Sequence, residues 1–340
     1  MVNMHDIPGV DVASHLSDRL LFAVPKKGRL NEQALQLLSG SDIQFHRHNR
    51  LDIALVKNLP IALVFLPAAD IPTFVGKGNV DLGITGRDQV AEHYDKRDRT
   101  RDAPGGRRNT IDASATEEGV EEIMDLGFGR CKLQVQVPEA SGWNDPKEVI
   151  GKDVVTSYVN LTEEYFRGLE EEVFGKEAET NGDGKRQLKT RIEYVGGSVE
   201  AACSLGVASS IVDLVESGET MRAAGLKAIS TVFESSAVLI RSKRASNQEL
   251  IDLITSRIRG VITAQRFVLC TYNIQRSTLD KAVKITPGKR APTITSLEDA
   301  NWVAVSSMVE RSKMAIVMDQ IMDIGGTDIL ITKIENSRAM

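Results

Sequence analysis

The chain has 340 residues, 41% hydrophobic and 26% charged, with 42 Lys and Arg against 47 Asp and Glu for a net charge of −5. This is the composition of a globular protein of two or three domains, and it excludes a collagenous, coiled-coil or wholly disordered chain. Mild acidity and 5% aromatic residues argue against binding of nucleic acid, scattered Cys131, Cys203 and Cys270 argue against a disulfide framework or zinc site, and no apolar run is long enough to span a membrane.

Residues 1–18 hold several acids and no basic segment before an apolar core. They read as a tail rather than a secretory signal, so a soluble cytoplasmic protein is expected. Residues 20–24 (LLFAV) predict a buried strand that runs into the basic loop Pro25-Lys26-Lys27-Gly28-Arg29. Asn31 is a suitable N-cap for the next helix, with Leu30, Ala34, Leu37 and Leu38 on one stripe and Gly40 at its stop. Strands are predicted at 61–66 (IALVFL) and 80–84 (VDLGI), with a short helix within 67–78 and the turn Thr85-Gly86-Arg87-Asp88 after them. Strands alternating with helices predict a parallel sheet covered on both faces. Residues 95–118 are charged and aperiodic, a surface insertion or linker whose interleaved acids speak against a basic binding patch.

Further strands are predicted at 133–137 (LQVQV), 154–156 and 192–195, a helix with an acidic face at 162–174, and a second polar insertion at 175–190. A helix is expected from Ser198, and 210–215 (SIVDLV) form a strand feeding a loop and a helix through Arg222. Strands at 228–233 and 237–240 follow. Ser246-x-x-Glu249 fits a capping box for a long helix whose apolar stripe includes Leu250, Ile251, Ile254, Ile258 and Val261. After it, strands at 266–272, 293–295, 302–306 and 328–334 alternate with helices at 277–283 and 310–324 in the order βαββαβ, a ferredoxin-like pattern. Met308, Met314, Met318 and Met322 are assigned to core packing.

The sharpest chemical feature is the run 206–221 (GVASSIVDLVESGETM). A strand ends in the loop Glu216-Ser217-Gly218-Glu219-Thr220 just before a helix, whose first N–H groups have no intrahelical partner and can receive an anion. Gly218 allows close backbone approach, Ser217 and Thr220 add hydroxyls, and Glu216 and Glu219 suit ribose hydroxyls or a magnesium shell. On this loop alone, a phosphate cradle and an ordinary capped turn are equally good readings. The basic loop 25–29, the turn 85–88 and Gly196-Gly197-Ser198 are weaker candidates at other strand ends, where open α/β sheets bind ligands. No nucleophile or metal constellation accompanies them. His46 and His48, beside Arg47 and Arg50, read as surface residues.

Taken together, these residues resemble the ATP phosphoribosyltransferase family. Glu200, Gly206-Val207-Ala208, Ile211-Val212-Asp213-Leu214 and Ser217-Gly218-x-Thr220-Met221 look like its diagnostic pattern. PKKGRL (25–30), ADIPTFVGKGNVDLGITGRD (69–88), LGFGRCKL (126–133), NLTEEYF (160–166) and VGGSVEAA (195–202) are also similar to the family. APTIT (291–295) and WVAV (302–305) resemble the regulatory domain of its long form, and SGETMRAAGL its fungal branch.

The resemblance implies an α/β fold: a two-lobed, periplasmic-binding-protein-like catalytic core with a C-terminal ferredoxin-like regulatory domain. Lobe I would be 19–118 and 226–250, lobe II 119–225, and the regulatory domain with its connecting helix 251–340. It implies transfer of a phosphoribosyl group from 5-phosphoribosyl 1-pyrophosphate (PRPP) to ATP, releasing pyrophosphate, as the first step of histidine biosynthesis. Mg2+ would travel with the substrates. By position, Asp213, Glu216, Ser217, Gly218, Glu219 and Thr220 would hold PRPP, while Lys27, Gly28, Arg29, Gly86, Arg87 and Asp88 would face nucleotide or phosphate. Ala291 and Thr293 would lie near histidine bound as feedback inhibitor, in a homo-hexamer built from dimers. Ser209 stands where the family usually has an acid, and an acid there that oriented ribose or magnesium would leave this chain with altered PRPP affinity. Val159 replaces a common proline. Three rivals share the scaffold: a small-molecule-binding or sensor protein, a transferase for another base, and a catalytically weakened regulatory subunit.

Overall fold

The computed structural model describes residues 16, 18–47, 51–93, 119–175 and 188–338. Residues 1–15, the insertion 95–118, residues 176–187 of the second insertion, His48 and Arg50 lie outside the described residues. The chain forms two compact units, one made of Ala34–His46, Val56–Leu59 and the chain from Asn247 on, the other of the remainder.

The larger unit contains two mixed sheets. The first is built from β1 (Leu20–Pro25), β2 (Ile53–Leu55), β3 (Ile61–Leu66), β4 (Leu82–Gly86), β5 (Val120–Asp125) and β11 (Ala237–Ser242), in the order β2-β3-β1-β4-β11-β5. Helices α2 (Ile71–Gly76) and α3 (Arg87–His93) accompany it, and α1 (Gly28–Gly40) follows β1 and belongs from Ala34 on to the other unit. The second holds β6 (Cys131–Pro138), β7 (Asp153–Thr156), β8 (Arg191–Tyr194), β9 (Ser210–Val215) and β10 (Leu226–Ser235), in the order β10-β6-β9-β7-β8, with α4 (Val159–Phe174), α5 (Ala201–Ser204) and α6 (Glu219–Ala223). Each sheet has its own core. Leu133, Val135 and Val137 alternate inward to meet Val154, Phe166 and Val212, while Ala23, Ile71, Val75, Val238 and Ile240 pack in the first lobe.

The structure corrects several expectations. The first sheet is not parallel throughout: β1 runs parallel to β3 and β4, but β2, β11 and β5 pair antiparallel. The strand β11 enters directly from the other sheet, with no crossover helix to turn it parallel. The chain leaves the first sheet over 126–130 and returns at Ser236. Hence β5 belongs to lobe I and β10 to lobe II, which displaces the expected boundaries at 118/119 and 225/226. Pairing of β10 with β6 from Leu226↔Pro138 to Ser235↔Cys131 is long-range, and nothing local in the sequence announces it. Helix α1 begins at Gly28, so Asn31 is not its N-cap; it lies in the first turn and its amide donates to the Pro25 carbonyl.

The second unit carries α7 (Gln248–Arg266), β12 (Phe267–Gln275), α8 (Leu279–Ile285), β13 (Thr293–Ser296), β14 (Trp302–Glu310), α9 (Met314–Asp323) and β15 (Thr327–Lys333). Its antiparallel sheet runs β13-β14-β12-β15, the ferredoxin-like order. The cap of α7 is Asn247, whose side chain accepts the Leu250 N–H at 3.1 Å, so the expected Ser246–Glu249 box is not formed. Glu249 then falls one position short of the box's reciprocal site. Met314 packs on the module's core beside Val317 and Ile321, but Met322 is 63% exposed, one residue past the apolar stripe.

Candidate functional site

The two lobes of the larger unit face each other across a cleft. At its mouth, Gly28 takes φ +77° and opens α1, which presents Arg29. Opposite, the loop after β9 carries Gly218 at φ +75°, the left-handed N-cap residue of α6. A positive φ is strained for most L-residues but not for glycine. Gly218 offers α6 no side-chain cap, and Ser217 Oγ accepts the Glu219 N–H at 3.4 Å. The N–H groups of Thr220 and Met221 have no carbonyl one turn earlier to receive them. Arg29 Nη1 and Glu216 Oε2 meet at 2.7 Å across the cleft, with side chains 76% and 49% exposed. Arg29, Glu216, Ser217, Gly218 and Thr220 line a cavity of about 280 Å³.

Deeper in the cleft, Arg29 and Glu216 also border a cavity of about 420 Å³ with Gly86, Asp88, Cys131 and Tyr158. Asp88 is buried, and its carboxylate organises the floor. Tyr158 Oη donates to Asp88 Oδ2 at 2.7 Å, Gln89 Nε2 donates to the same oxygen at 3.1 Å, and Ser235 Oγ donates to Oδ1. In return, the Asp88 N–H donates to Ser235 Oγ at 2.9 Å. Gly86 has no side chain because a Cβ there would run into the Asp88 carboxylate. Burial and the neighbouring Asp88 charge push the Tyr158 phenol far up, so it stays a donor. Burial, with Asp88 adding, pushes the Cys131 thiol up to about 11. That leaves Cys131 a protonated, weakly reactive wall residue.

Helix α3 ties the lobes together on either side of that floor. Arg87 lies at the crossing between sheets: its guanidinium donates to Glu122 at 2.6 and 3.0 Å, to Asp125 at 3.2 Å and to Ser236 Oγ at 3.0 Å. One turn beyond Asp88, the Glu92 carboxylate accepts the N–H groups of Asn160 and Leu161 at 2.9 and 3.0 Å. It thereby serves the start of α4, where negative charge is favoured.

A profile described as "HisG: ATP phosphoribosyltransferase" matches residues 67–260, and "HisG, C-terminal domain" matches 264–336. The chain is 55% identical over 337 residues to an ATP phosphoribosyltransferase of Candida glabrata, covering 97% of this chain and 100% of that one. It is 51% identical over 330 residues to that of Saccharomyces cerevisiae, with the same coverage. The chain belongs to the ATP phosphoribosyltransferase family. Among solved structures, an ATP phosphoribosyl transferase (HisG:HisZ) complex from Thermotoga maritima shares the fold, with a TM-score of 0.53 at 20% identity, covering 72% of this chain and 98% of that one. This is an enzyme of the pentosyltransferase class, and the binding-protein and sensor readings of the scaffold fall away.

The residues expected from the ATP phosphoribosyltransferase pattern separate into groups. Arg29 and the loop Glu216 to Thr220 meet at the mouth, while Lys27 and Gly28, which precede Arg29, are exposed and line none of the cavities. Gly86 and Asp88 lie at the floor. Arg87 borders a third cavity, of about 680 Å³, while its guanidinium is engaged by acids. Asp213 lines none of these cavities; it alternates on β9 with Leu214, which does, and burial raises its pKa, the Glu200 charge adding to that. Ala291 and Thr293 are exposed in the other unit, Thr293 pairing with Ser306 at the edge of the sheet.

Two departures from the family pattern are also placed. Ser209 precedes β9 at the end away from the cradle, its N–H on the Asp153 carbonyl at 3.0 Å. The six residues of β9 separate it from Glu216, seven steps of about 3.3 Å or roughly 23 Å, so it does not bear directly on the cradle. Val159 is the first residue of α4, a position that proline favours but does not require. The sequence reading missed Tyr158, Gln89, Glu92, Arg130, Cys131 and Ser235. Only Cys131 and Arg130 stood inside a quoted motif; the others are brought in by pairing between distant segments.

Proposed function

We propose that the protein condenses ATP with PRPP to give N1-(5-phosphoribosyl)-ATP and pyrophosphate, the first step of L-histidine biosynthesis, in the cytoplasm. The observation that carries the reading is the cradle: a helix start whose N-cap Gly218 has no side chain, flanked by Ser217 and Thr220 and faced by Arg29. The 5-phosphate would sit on the Ser217–Thr220 backbone and hydroxyls. Glu216 and Glu219, which line the cradle, are the acceptors available for ribose hydroxyls. Arg29 and Lys27 would take charge on the pyrophosphate.

In the reaction, adenine N1 forms a bond to the anomeric carbon as the bond from that carbon to pyrophosphate oxygen breaks, and the electron pair leaves with pyrophosphate. The sugar becomes cationic and the leaving group is already a stable anion, so holding and charge stabilisation suffice without a nucleophilic side chain. Magnesium, which prefers one or two carboxylates plus phosphate oxygens, would neutralise charge on the substrates. Among the described residues no three His, Cys, Asp or Glu side chains converge as a metal cage; Glu216 and Glu219 are the carboxylates of the cradle that could assist it. The C-terminal module, with Ala291 and Thr293, would bind histidine as feedback inhibitor, within a hexamer assembled from dimers. Among the described residues no helix is long and apolar enough to cross a membrane.

The test is to mix the purified protein with ATP, PRPP and Mg2+ and follow phosphoribosyl-ATP and pyrophosphate. Absence of both products while PRPP binds would overturn the reading. Turnover that histidine leaves untouched would remove the regulatory role of the C-terminal module.

A further inference from the structure

Several cations border the cleft cavities, and nearly all are engaged. Arg29 is on Glu216, Arg87 on Glu122, Asp125 and Ser236, and Lys132 on Glu234 at 2.9 Å; Arg222 donates to the Ser217 carbonyl at 3.2 Å. Arg130 differs. It borders both the 420 Å³ and the 680 Å³ cavities, is exposed, and makes no ion pair or side-chain hydrogen bond with any described residue.

The backbone fixes where Arg130 stands. It ends the segment that carries the chain from the first sheet to the second. Gly127 and Gly129 in that segment take φ +79° and +63°. A Cβ on Gly129 would meet Leu30 Cδ1 at 3.3 Å and Ala237 Cβ at 3.5 Å. The crossing therefore passes close by the residue that follows Arg29, and the two arginines share one cavity. A guanidinium offers five N–H donors in a planar fork that matches phosphate oxygens in bidentate fashion. Among the described residues nothing engages those of Arg130.

We propose that Arg130 is a polyphosphate-binding residue of the cleft, gripping pyrophosphate or the triphosphate of a nucleotide. This rests on reading the cleft as the site of a phosphoribosyl transfer. Arg130 has no partner among the described residues to displace before it binds. Arg29, Arg87, Lys132 and Arg222, the other cations that line these cavities, would first have to exchange a carboxylate or a carbonyl for phosphate. A bidentate arginine pair with phosphate carries both charge and direction, so lysine at this place would retain only part of the affinity.

The experiment is calorimetric titration of the full chain with inorganic pyrophosphate in one arm and ATP in the other. The proteins are wild type, Arg130→Met, Arg130→Lys and, as a charge control, Lys152→Met, whose ammonium stands over the Trp143 ring. Arg130→Met should weaken one arm or both by roughly tenfold or more, as expected for loss of a charge-assisted bidentate contact. Arg130→Lys should recover part of the loss, and Lys152→Met should stay within about twofold of wild type. Loss in the pyrophosphate arm assigns Arg130 to the leaving group, and loss in the ATP arm to the nucleotide. Unchanged affinity in both arms for folded Arg130→Met overturns the proposal, as does a wild-type protein that binds neither anion. If wild type binds both anions yet makes no phosphoribosyl-ATP, the function reading fails while the arms still judge Arg130. If wild type turns over and Arg130→Met binds normally, only this proposal fails.

Discussion

Asp88 and Glu216 are both carboxylates that reach from one lobe to the other, and the cleft uses them differently. Asp88 is 3% exposed and accepts from Tyr158, Gln89 and Ser235. Glu216 is half-exposed and meets a still more exposed Arg29 through a single nitrogen. A buried network with every member satisfied is costly to disturb, because each group left alone keeps its desolvation penalty. A solvated ion pair is worth little and is screened by salt. The floor is thus suited to hold the lobes in register, and the mouth to trade partners when a phosphate arrives.

The largest effect should come from breaking the floor. Asp88→Ala would leave Tyr158 and Ser235 without their acceptor and is expected to cost about 3 kcal/mol in chemical denaturation, in line with a buried network losing its hub. Tyr158→Phe should cost about 2 kcal/mol, since it removes both the hydrogen bond to the Asp88 carboxylate and the one that Gln89 Nε2 donates to the phenol oxygen. A loss for Asp88→Ala no greater than that of an exposed surface variant would abolish the distinction between floor and mouth.

At the mouth, a double-mutant cycle of Arg29→Met with Glu216→Gln should give a coupling below about 1 kcal/mol in stability. The same variants should change the KM for PRPP, more so at low salt. A coupling comparable to that of the floor would mean that the Arg29–Glu216 pair is a fixed structural tie.

A smaller effect concerns Cys131, which lies between the two regions. Its thiol is held up to about 11 against 9.0 in an open chain, so the stability it contributes is intact below pH 9.0 and is lost as pH rises through about 11. Site-resolved alkylation by iodoacetamide should reach half its maximal rate near the higher of these values. A midpoint near the ordinary thiol value would show that Asp88 and the surrounding wall do not shield it.

The same contrast accounts for what the sequence reveals. The mouth is local: Gly218, Ser217 and Thr220 are adjacent in the chain, the strand before them is a plain apolar run, and the glycine requirement is written in the loop itself. The βαββαβ module is legible because its strands alternate, as in β12, whose even-numbered residues from Val268 to Ile274 are buried. The floor is assembled from Asp88, Tyr158 and Ser235, which lie on three segments joined only by tertiary pairing. The short β2, the polar β5 (VEEIMD) and α3 (RDQVAEH) have no apolar period to expose them, so the tie between α3 and α4 was out of reach. The polarity of the first sheet was misjudged for a related reason, since the direction of β11 depends on a chain crossing at Ser236 and not on its own residues.

The central claim is that the loop Glu216 to Thr220 receives the phosphate of PRPP. Gly218→Val tests it most directly. A Cβ at Gly218 meets only the movable end of Arg222, 2.8 Å away, so the obstacle is the φ of +75°, which a β-branched residue resists. The variant should fold, with its secondary structure intact by circular dichroism, and its PRPP binding measured by calorimetry should be lost. Wild-type affinity for PRPP in the folded variant would contradict it.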